Sequence, residues 1–547
     1  MKRSVVSPVL VAFFSVVAAG WLMQEGVSRA SNVYVHARVL QEVVDRVSSS
    51  FVDEVDRDLL YNSAIEGLIR ELEDPHSSFL PASEYENLRI RTEGEYGGVG
   101  LEVVDRGGYV TVVSPIPGGP GNRIGIRAGD QFYEIEGVSV DTMFTDQVVE
   151  LLRGRPGTDV TVRMLRPGLE DPIEFTITRE EIVLRAVPFS VILDDQVGYV
   201  PLTSFRETSA TELRTAIDSL SEEGMRSLVL DLRGNPGGLL DQGIEVTDLF
   251  LSEGQEIVET RGREASQNEL YAAANPDQYP EMPLVILVDQ GSASAAEIIA
   301  GALQDHDRAI LVGETTFGKG SVQSLYRLTG GDVLRLTTAK WYTPVGRSIH
   351  SDQDSDLSSS VKSEVEWAYT ITGKMVEPVS IEGRPEFLSA GGRTLYGGGG
   401  ITPDVHEYPE TLGLAESGGV LRLFQRGGGF SEALFDYAVG YVADRPDIEV
   451  GFSLTNEDIQ AFYTILEGSE GVIDWAEFQA AERFVRYHME REIALQAWGA
   501  GGEFHQLQSH DRQLARALGL LREVQTPAEL VTAASEVKPE EIPHWQN

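Results

Sequence analysis

Leu284-Val285-Ile286-Leu287-Val288-Asp289-Gln290-Gly291-Ser292-Ala293-Ser294-Ala295-Ala296-Glu297-Ile298 passes from five consecutive apolar residues, through a short bridge of small and polar ones, into a segment of helical character. The apolar run reads as a buried strand, and the small residues let the chain turn sharply into the helix. Ser294 then stands at or near a helix N-terminus, where unpaired backbone N–H groups and the helix dipole favour a developing oxyanion. Serine is equally a preferred N-cap, and the local pattern does not choose between cap and nucleophile.

The same order recurs around it. Val197 to Leu202 precedes a helical pattern over Ala210 to Glu223, and Ser227 to Leu232 precedes Leu239 to Phe250. Strand, loop and helix in repetition mark an α/β fold from about Val187 to Pro403, whose functional groups gather where strands end and helices begin. One such junction is Asp231-Leu232-Arg233-Gly234-Asn235-Pro236-Gly237-Gly238, a glycine-rich loop with backbone amides to offer. Acyl transfer needs two donors at the oxyanion position, and the amides of Gly238 and Ala295 would meet that need. Tight turn geometry alone also explains such glycines.

A base must accompany the serine. Of nine histidines, His306 is nearest in sequence, but it falls at the far end of the same helix, roughly 18 Å away at 1.5 Å per residue. His76 and His350 stay open. Lys319, in Thr316-Phe317-Gly318-Lys319-Gly320-Ser321-Val322-Gln323, sits between two glycines. A solvated surface lysine is the plain alternative. To act as a base its pKa must fall from about 10.4 to about 7, which is roughly 5 kcal/mol of disfavoured charging. Burial can supply that if the Phe317 side of the loop and the strand Val322 to Leu328 enclose the amine. Gln323 could orient the neutral amine without restoring its charge.

Upstream, Val35, Val39, Val43 and Val47, then Leu59 to Leu72, mark amphipathic helices that end at Asp74-Pro75-His76. From about Glu93 short strands set off by Gly and Pro take over: Gly97 to Val104, Tyr109 to Val113 and Asp130 to Gly137. A helical stretch, Thr145 to Leu152, and a strand, Val160 to Leu165, complete a β-rich module of about 90 residues. Residues 351–395 are polar and read as an inserted surface segment. Residues beyond about 405 read as helical and charged, as in Asp458 to Leu466 and Trp475 to Arg491.

Composition bounds the rest. The 547 residues imply two to four domains, and 41% apolar content suits a globular chain. A formal charge of −42, from 86 acidic and 44 basic residues, argues against nucleic acid and anionic lipid as partners of the body. The absence of cysteine excludes disulfides, thiolate catalysis and cysteine zinc sites. Lys2 and Arg3 precede the apolar stretch Val5 to Met23, which reads as a signal sequence or an uncleaved anchor and implies export.

Taken together, the motifs at 231–238, 291–295 and 316–323, with Ser294 and Lys319 spaced by 25, resemble the carboxyl-terminal processing (tail-specific) proteases, peptidase family S41. The resemblance covers about residues 32 to 405. It implies Ser294 as nucleophile, Lys319 as general base, Gln323 as its positioning partner, and the amides of Gly238 and Ala295 as oxyanion hole. No metal or cofactor is implied. It also implies that the β-rich module is a PDZ domain, with Gly97, Gly98, Val99, Gly100 and Leu101 as the loop that binds a substrate C-terminus, and Arg153 as a link to the active site.

The expected fold is therefore multidomain α/β. A signal peptide or anchor (1–30) leads to an N-terminal helical region (31–92), a PDZ domain (93–182) and a ClpP/crotonase-like protease core (183–405, polar insertion 351–395). A helical C-terminal extension (406–547) closes the chain. The expected enzyme is an exported serine endopeptidase, extracytoplasmic or periplasmic, acting on proteins with exposed C-termini, possible as a homodimer and tethered through residues 5–23. A non-catalytic PDZ adaptor is the alternative.

Overall fold

The computed structural model describes residues 34–169, 171–351, 369–376, 381–426, 429–467 and 473–537. The expected signal or anchor lies outside them. Among the described residues no helix is long and apolar enough to cross a membrane.

The chain divides into two compact units. The smaller comprises residues up to Tyr85 together with Gln323–Thr337. It begins with a helix over residues 34–50 and continues with Arg57–Arg70, capped by the Asp56 carboxylate accepting from Asp58 N at 2.8 Å. Ser78–Leu80 then pairs antiparallel with residues 333–335. The turn between helix and strand is tied by Asp74, which accepts from His76 N at 3.1 Å and from Ser77 Oγ at 2.5 Å, while Ser77 Oγ accepts from Thr337 N at 3.1 Å.

The larger unit holds the β-rich module, the α/β core and the C-terminal helices. In the module, Leu101–Arg106, Tyr109–Pro115, Gln131–Ile135, Asp159–Leu165 and Ile173–Thr178 form an antiparallel sheet with the short strand Val138–Ser139 at Gln131–Ile135. The helix Thr145–Leu152 buries Val148 and Leu152 in its core beside Val110, Phe132 and Val160.

The core sheet runs in the order Val191–Leu193, Val197–Pro201, Ser227–Asp231, Leu284–Val288, Ile310–Gly313 and Val405–His406, parallel except at its first pair. Side chains alternate between faces with period two. Leu228, Leu230, Ile286 and Leu311 pack on the helices Ser209–Glu222, Leu240–Asp248 and Ala295–Asp305 through Leu213, Ile217, Val246 and Ile299. Val229, Val285, Leu287 and Val312 point the other way and are covered by Leu514, Ala517, Leu520, Leu530 and Ala534. Those residues belong to Arg512–Leu521 and Pro527–Ser535, near the far end of the chain. This double cover is why Leu284–Val288 is apolar at every position rather than at alternate ones. The preceding helices, from Leu414–Arg426 to Glu482–Leu507, build a core of their own around Leu423, Phe430, Phe462 and Phe484.

Candidate active site

Ser294 is the residue immediately before the helix Ala295–Asp305, with φ 55° and ψ −115°. A left-handed φ is costly for any residue with a Cβ, so the surrounding structure must hold it there. The first turn of the helix does this. Glu297, with no solvent exposure, accepts from Ser294 N at 2.9 Å through Oε2, as a residue at the third helical position does in a capping box.

The same carboxylate reaches the lysine loop. Its Oε2 accepts from Lys319 N at 2.9 Å, and its Oε1 accepts from Gly318 N at 2.7 Å and Thr316 Oγ1 at 2.5 Å. Phe317 N donates to Ser292 O at 3.0 Å. Burial pushes the Glu297 carboxyl up to about 7, against the pull of these four donors. One side chain thus fixes the backbones of Ser294 and Lys319 in a common frame. Sequence reasoning passed over Glu297, although Ser294-Ala295-Ala296-Glu297 carries the serine-x-x-glutamate signature of a capping box.

The glycine-rich loop after Ser227–Asp231 closes on the serine from the other side. Ala293 N donates to Asn235 O at 2.9 Å. A Cβ on Gly237 would come 2.9 Å from Ala295 N, and one on Gly291 would come 2.9 Å from Gly234 Cα. Gly238 has φ +153°, and a Cβ there would meet Phe205 O at 2.0 Å, so only glycine fits. The loop is laced in place by Asn235 Nδ2 to Leu202 O at 2.6 Å and Gly237 N to Asn235 Oδ1 at 2.8 Å.

Asp289 ties the two loops, accepting from Gly234 N at 2.7 Å and Gly291 N at 2.9 Å. Burial raises its pKa, but Lys374, 2.7 Å away, and those amides prevail and hold it below the usual carboxylate range. Lys374 comes from within residues 351–395, so this polar segment is joined to the serine loop.

The structure therefore sets Gly237, the residue before Gly238, against Ser294 and Ala295, and joins the backbones of Ser294 and Lys319 through Glu297. Lys319 is half-buried, and Phe317 is 44% exposed. His306 caps the far end of the helix, its ring between Gln255 Nε2 and Glu256 O at 3.2 and 2.7 Å. His350 lies nearer: a Cβ on Gly320 would meet its backbone N at 3.0 Å. Gln323 falls in the smaller unit, where its half-buried amide donates to Thr337 Oγ1 at 3.4 Å. Burial raises the Asp74 pKa, but hydrogen bonds from Ser77 and Thr337 leave it lowered. Among the described residues no cluster of three or more His, Cys, Asp or Glu is arranged to hold a metal.

In the β-rich module, Gly97 and Gly98 end the strand Glu95–Gly98, which pairs with Glu180–Val183. Val99 is buried, Gly100 takes φ +67°, and Leu101 starts the next strand. The carbonyls of Val99 and Gly100 accept from Gly121 N and Ile116 N, both at 2.9 Å. Arg153 caps the helix Thr145–Leu152 and turns back, its Nη1 2.6 Å from Asn87 Oδ1 and its guanidinium 5.6 Å from the centre of the Tyr96 ring.

Comparison with known proteins identifies three of the regions. Residues 196–357 match peptidase family S41, residues 111–166 match a PDZ domain, and residues 22–83 match the N-terminal domain of the activating protease CtpB. A carboxy-terminal-processing protease of Bartonella bacilliformis is 40% identical over 322 residues, 58% of this chain and 73% of that one. The carboxy-terminal processing protease CtpA of Bacillus subtilis strain 168 is 36% identical over 60% of this chain and 68% of its own. Among solved structures, a photosystem II D1 C-terminal processing protease is 30% identical, covering 57% of this chain and 89% of that one with a TM-score of 0.34. On the extent of its identity with these sequence relatives, the chain belongs to the carboxy-terminal processing serine proteases, peptidase family S41, with a PDZ domain.

Proposed function

We propose that this protein is an endopeptidase that cuts protein substrates at or near their C-termini through an acyl-enzyme on Ser294. Lys319, in its neutral form, takes the Ser294 Oγ proton as the oxygen attacks the scissile carbonyl, and returns it to the leaving amine. A water then attacks the ester with Lys319 again as base. The amides of Gly238 and Ala295 hold the carbonyl oxygen as it becomes negative.

The observation that carries this reading is the Glu297 carboxylate, which accepts from the backbone amides of both Ser294 and Lys319 at 2.9 Å. A nucleophile and a base must share one rigid frame, and no adaptor function needs these two backbones joined through a buried carboxylate.

The loop Gly97–Leu101 of the PDZ domain binds the substrate's C-terminal carboxylate, and Arg153 conveys its occupancy. Export, with a tether at residues 5–23, suits the basic flank of that apolar stretch. Self-association through the helix of residues 34–50 suits the exposure of Val35, Val39 and Val43.

The test uses the purified full chain with a protein substrate bearing an apolar C-terminus, read by mass spectrometry. The wild type cleaves near that end, while Ser294→Ala and Lys319→Ala do not. Cleavage persisting in either variant rejects the dyad, and binding without cleavage by the wild type returns the adaptor.

A further inference from the structure

Arg233 stands at the entrance of the glycine-rich loop and is gripped from two directions. From its own strand, Asp231 accepts its Nε at 3.0 Å and its Nη2 at 2.6 Å, with Tyr199 Oη donating to the same carboxylate at 2.6 Å. From 278 residues further along the chain, Asp511 accepts Nη1 at 2.9 Å and Nη2 at 2.7 Å, and Gln513 Oε1 accepts Nη1 at 3.0 Å. Paired N–H groups on a carboxylate fix a guanidinium in direction as well as in place.

Asp511 is itself held. It caps the helix Arg512–Leu521 by accepting from Leu514 N at 2.9 Å, and Gln513 Nε2 donates to Glu407 O at 2.8 Å. The helix is seated on the core sheet through Leu514 and Ala517. One residue beyond Arg233, Gly234 N is fixed to Asp289, and three beyond that Gly237 abuts Ser294.

We propose that Asp511 is a positioning residue for the catalytic centre: the C-terminal helices brace the oxyanion loop through Asp511 and Arg233, and set the orientation of the amide that receives the oxyanion. This rests on the reading of residues 234–238 as that loop. Asp231 alone holds Arg233 from one side. Without the second carboxylate only the neutral Gln513 Oε1 faces Arg233 from that side, the guanidinium swings, and the loop it anchors drifts relative to Ser294. Displacement of a preorganised donor acts on the transition state and leaves substrate binding unaltered.

The test compares full-length wild type, Asp511→Asn, Asp511→Ala, Asp511→Glu, Ser294→Ala and Arg522→Ala. Arg522→Ala removes an exposed ion pair with Asp195, 3.1 Å long, in the same C-terminal region. Asp511→Asn retains an acceptor for Leu514 N and so preserves the helix cap. Cleavage of a fluorogenic peptide gives kcat and KM, and the rate of Ser294 modification by a fluorophosphonate reads the site without a peptide.

The expected result is a kcat about tenfold lower in Asp511→Asn and Asp511→Ala with KM unchanged, the same loss in the fluorophosphonate rate, and recovery in Asp511→Glu. An unchanged kcat in Asp511→Asn alongside an inactive Ser294→Ala overturns the proposal and leaves the nucleophile standing. A loss that Arg522→Ala matches, or one seen only as a lower melting temperature, also overturns it. Full activity in Ser294→Ala overturns both.

Discussion

Gly237 lies flush against Ser294: a methyl group on Gly237 would sit 2.7 Å from Ser294 Cβ and 2.7 Å from Ala293 O. With φ at +91°, Gly237 also occupies a conformation that other residues resist. Gly237→Ala must push the loop and the serine apart. A loss of about 100-fold in kcat is expected, in line with removal of one oxyanion donor. Kinetics at a protein concentration corrected for folded fraction by circular dichroism check it.

Glu297 keeps its proton up to about 7 in the folded chain against an ordinary value of 4.5. Between those values the folded state binds more protons than the unfolded one, so this group's contribution to stability falls as pH rises. The advantage of wild type over Glu297→Gln is therefore greatest below about pH 4.5 and declines by roughly 3 kcal/mol up to about pH 7. Urea denaturation of both proteins across that range measures the slope. A difference that grows with pH contradicts it.

Lys319 and His350 both border the segment containing Gly320, so their variants distinguish two chemistries. Lys319→Ala is expected to lose about 10³-fold in acylation, as removal of a general base does. His350→Gln is expected to keep both the rate and the pH profile. A profile that changes in His350→Gln alone would move the base to histidine. Stopped-flow acylation with an activated ester is the measurement.

Arg347 and Asp305 form an ion pair with no exposure of either side chain, and Arg347 Nη2 also reaches Gln304 Oε1 at 3.0 Å. Burial lowers the arginine pKa and the carboxylate opposes it. Arg347→Leu leaves Asp305 buried without its partner, at a cost of about 3 to 5 kcal/mol. The double variant with Asp305→Leu recovers most of that. Thermal denaturation of the single and double variants tests the pair.

Capture of a C-terminal carboxylate at Gly97–Leu101 predicts that Ser294→Ala binds a peptide with a free C-terminus about tenfold more tightly than its amide, the worth of hydrogen bonds to a charged group. Calorimetry with the full chain reads the ratio. Equal affinities assign recognition elsewhere.

Much of the architecture was legible because its signals are local. The helical pattern predicted over Thr145 to Leu152 matches the helix Thr145–Leu152, and the segment of helical character after Ser294 is the helix Ala295–Asp305. The single helix expected over Trp475 to Arg491 instead breaks at Ala481, between Trp475–Ala480 and Glu482–Leu507. The motifs holding Ser294, Gly238 and Lys319 stood out in the sequence, and the structure adds the buried acid that joins the first and last of these backbones. Glu297 was hidden by its ordinary place in a helical pattern, where a glutamate looks solvated. The chemistry of Asp511 was not legible at all, since its partner Arg233 is fixed by tertiary packing. One clue was present: Leu284–Val288 is apolar on both faces, while the helices between strands cover only one. A second cover had to come from somewhere, and the sequence does not say from where.

That second cover sets a timetable. A ribosome delivers the serine and lysine loops well before Arg512–Leu521, and at usual elongation rates the gap is roughly 10 to 40 s. During it the sheet face bearing Val229, Leu287 and Val312 has no lid and Arg233 has a single carboxylate to hold. The long loop closure between residues 233 and 511 is thus a late step, slow by the entropy of joining distant segments. A nascent chain thus carries its serine and lysine loops before the second carboxylate that holds Arg233 has been made.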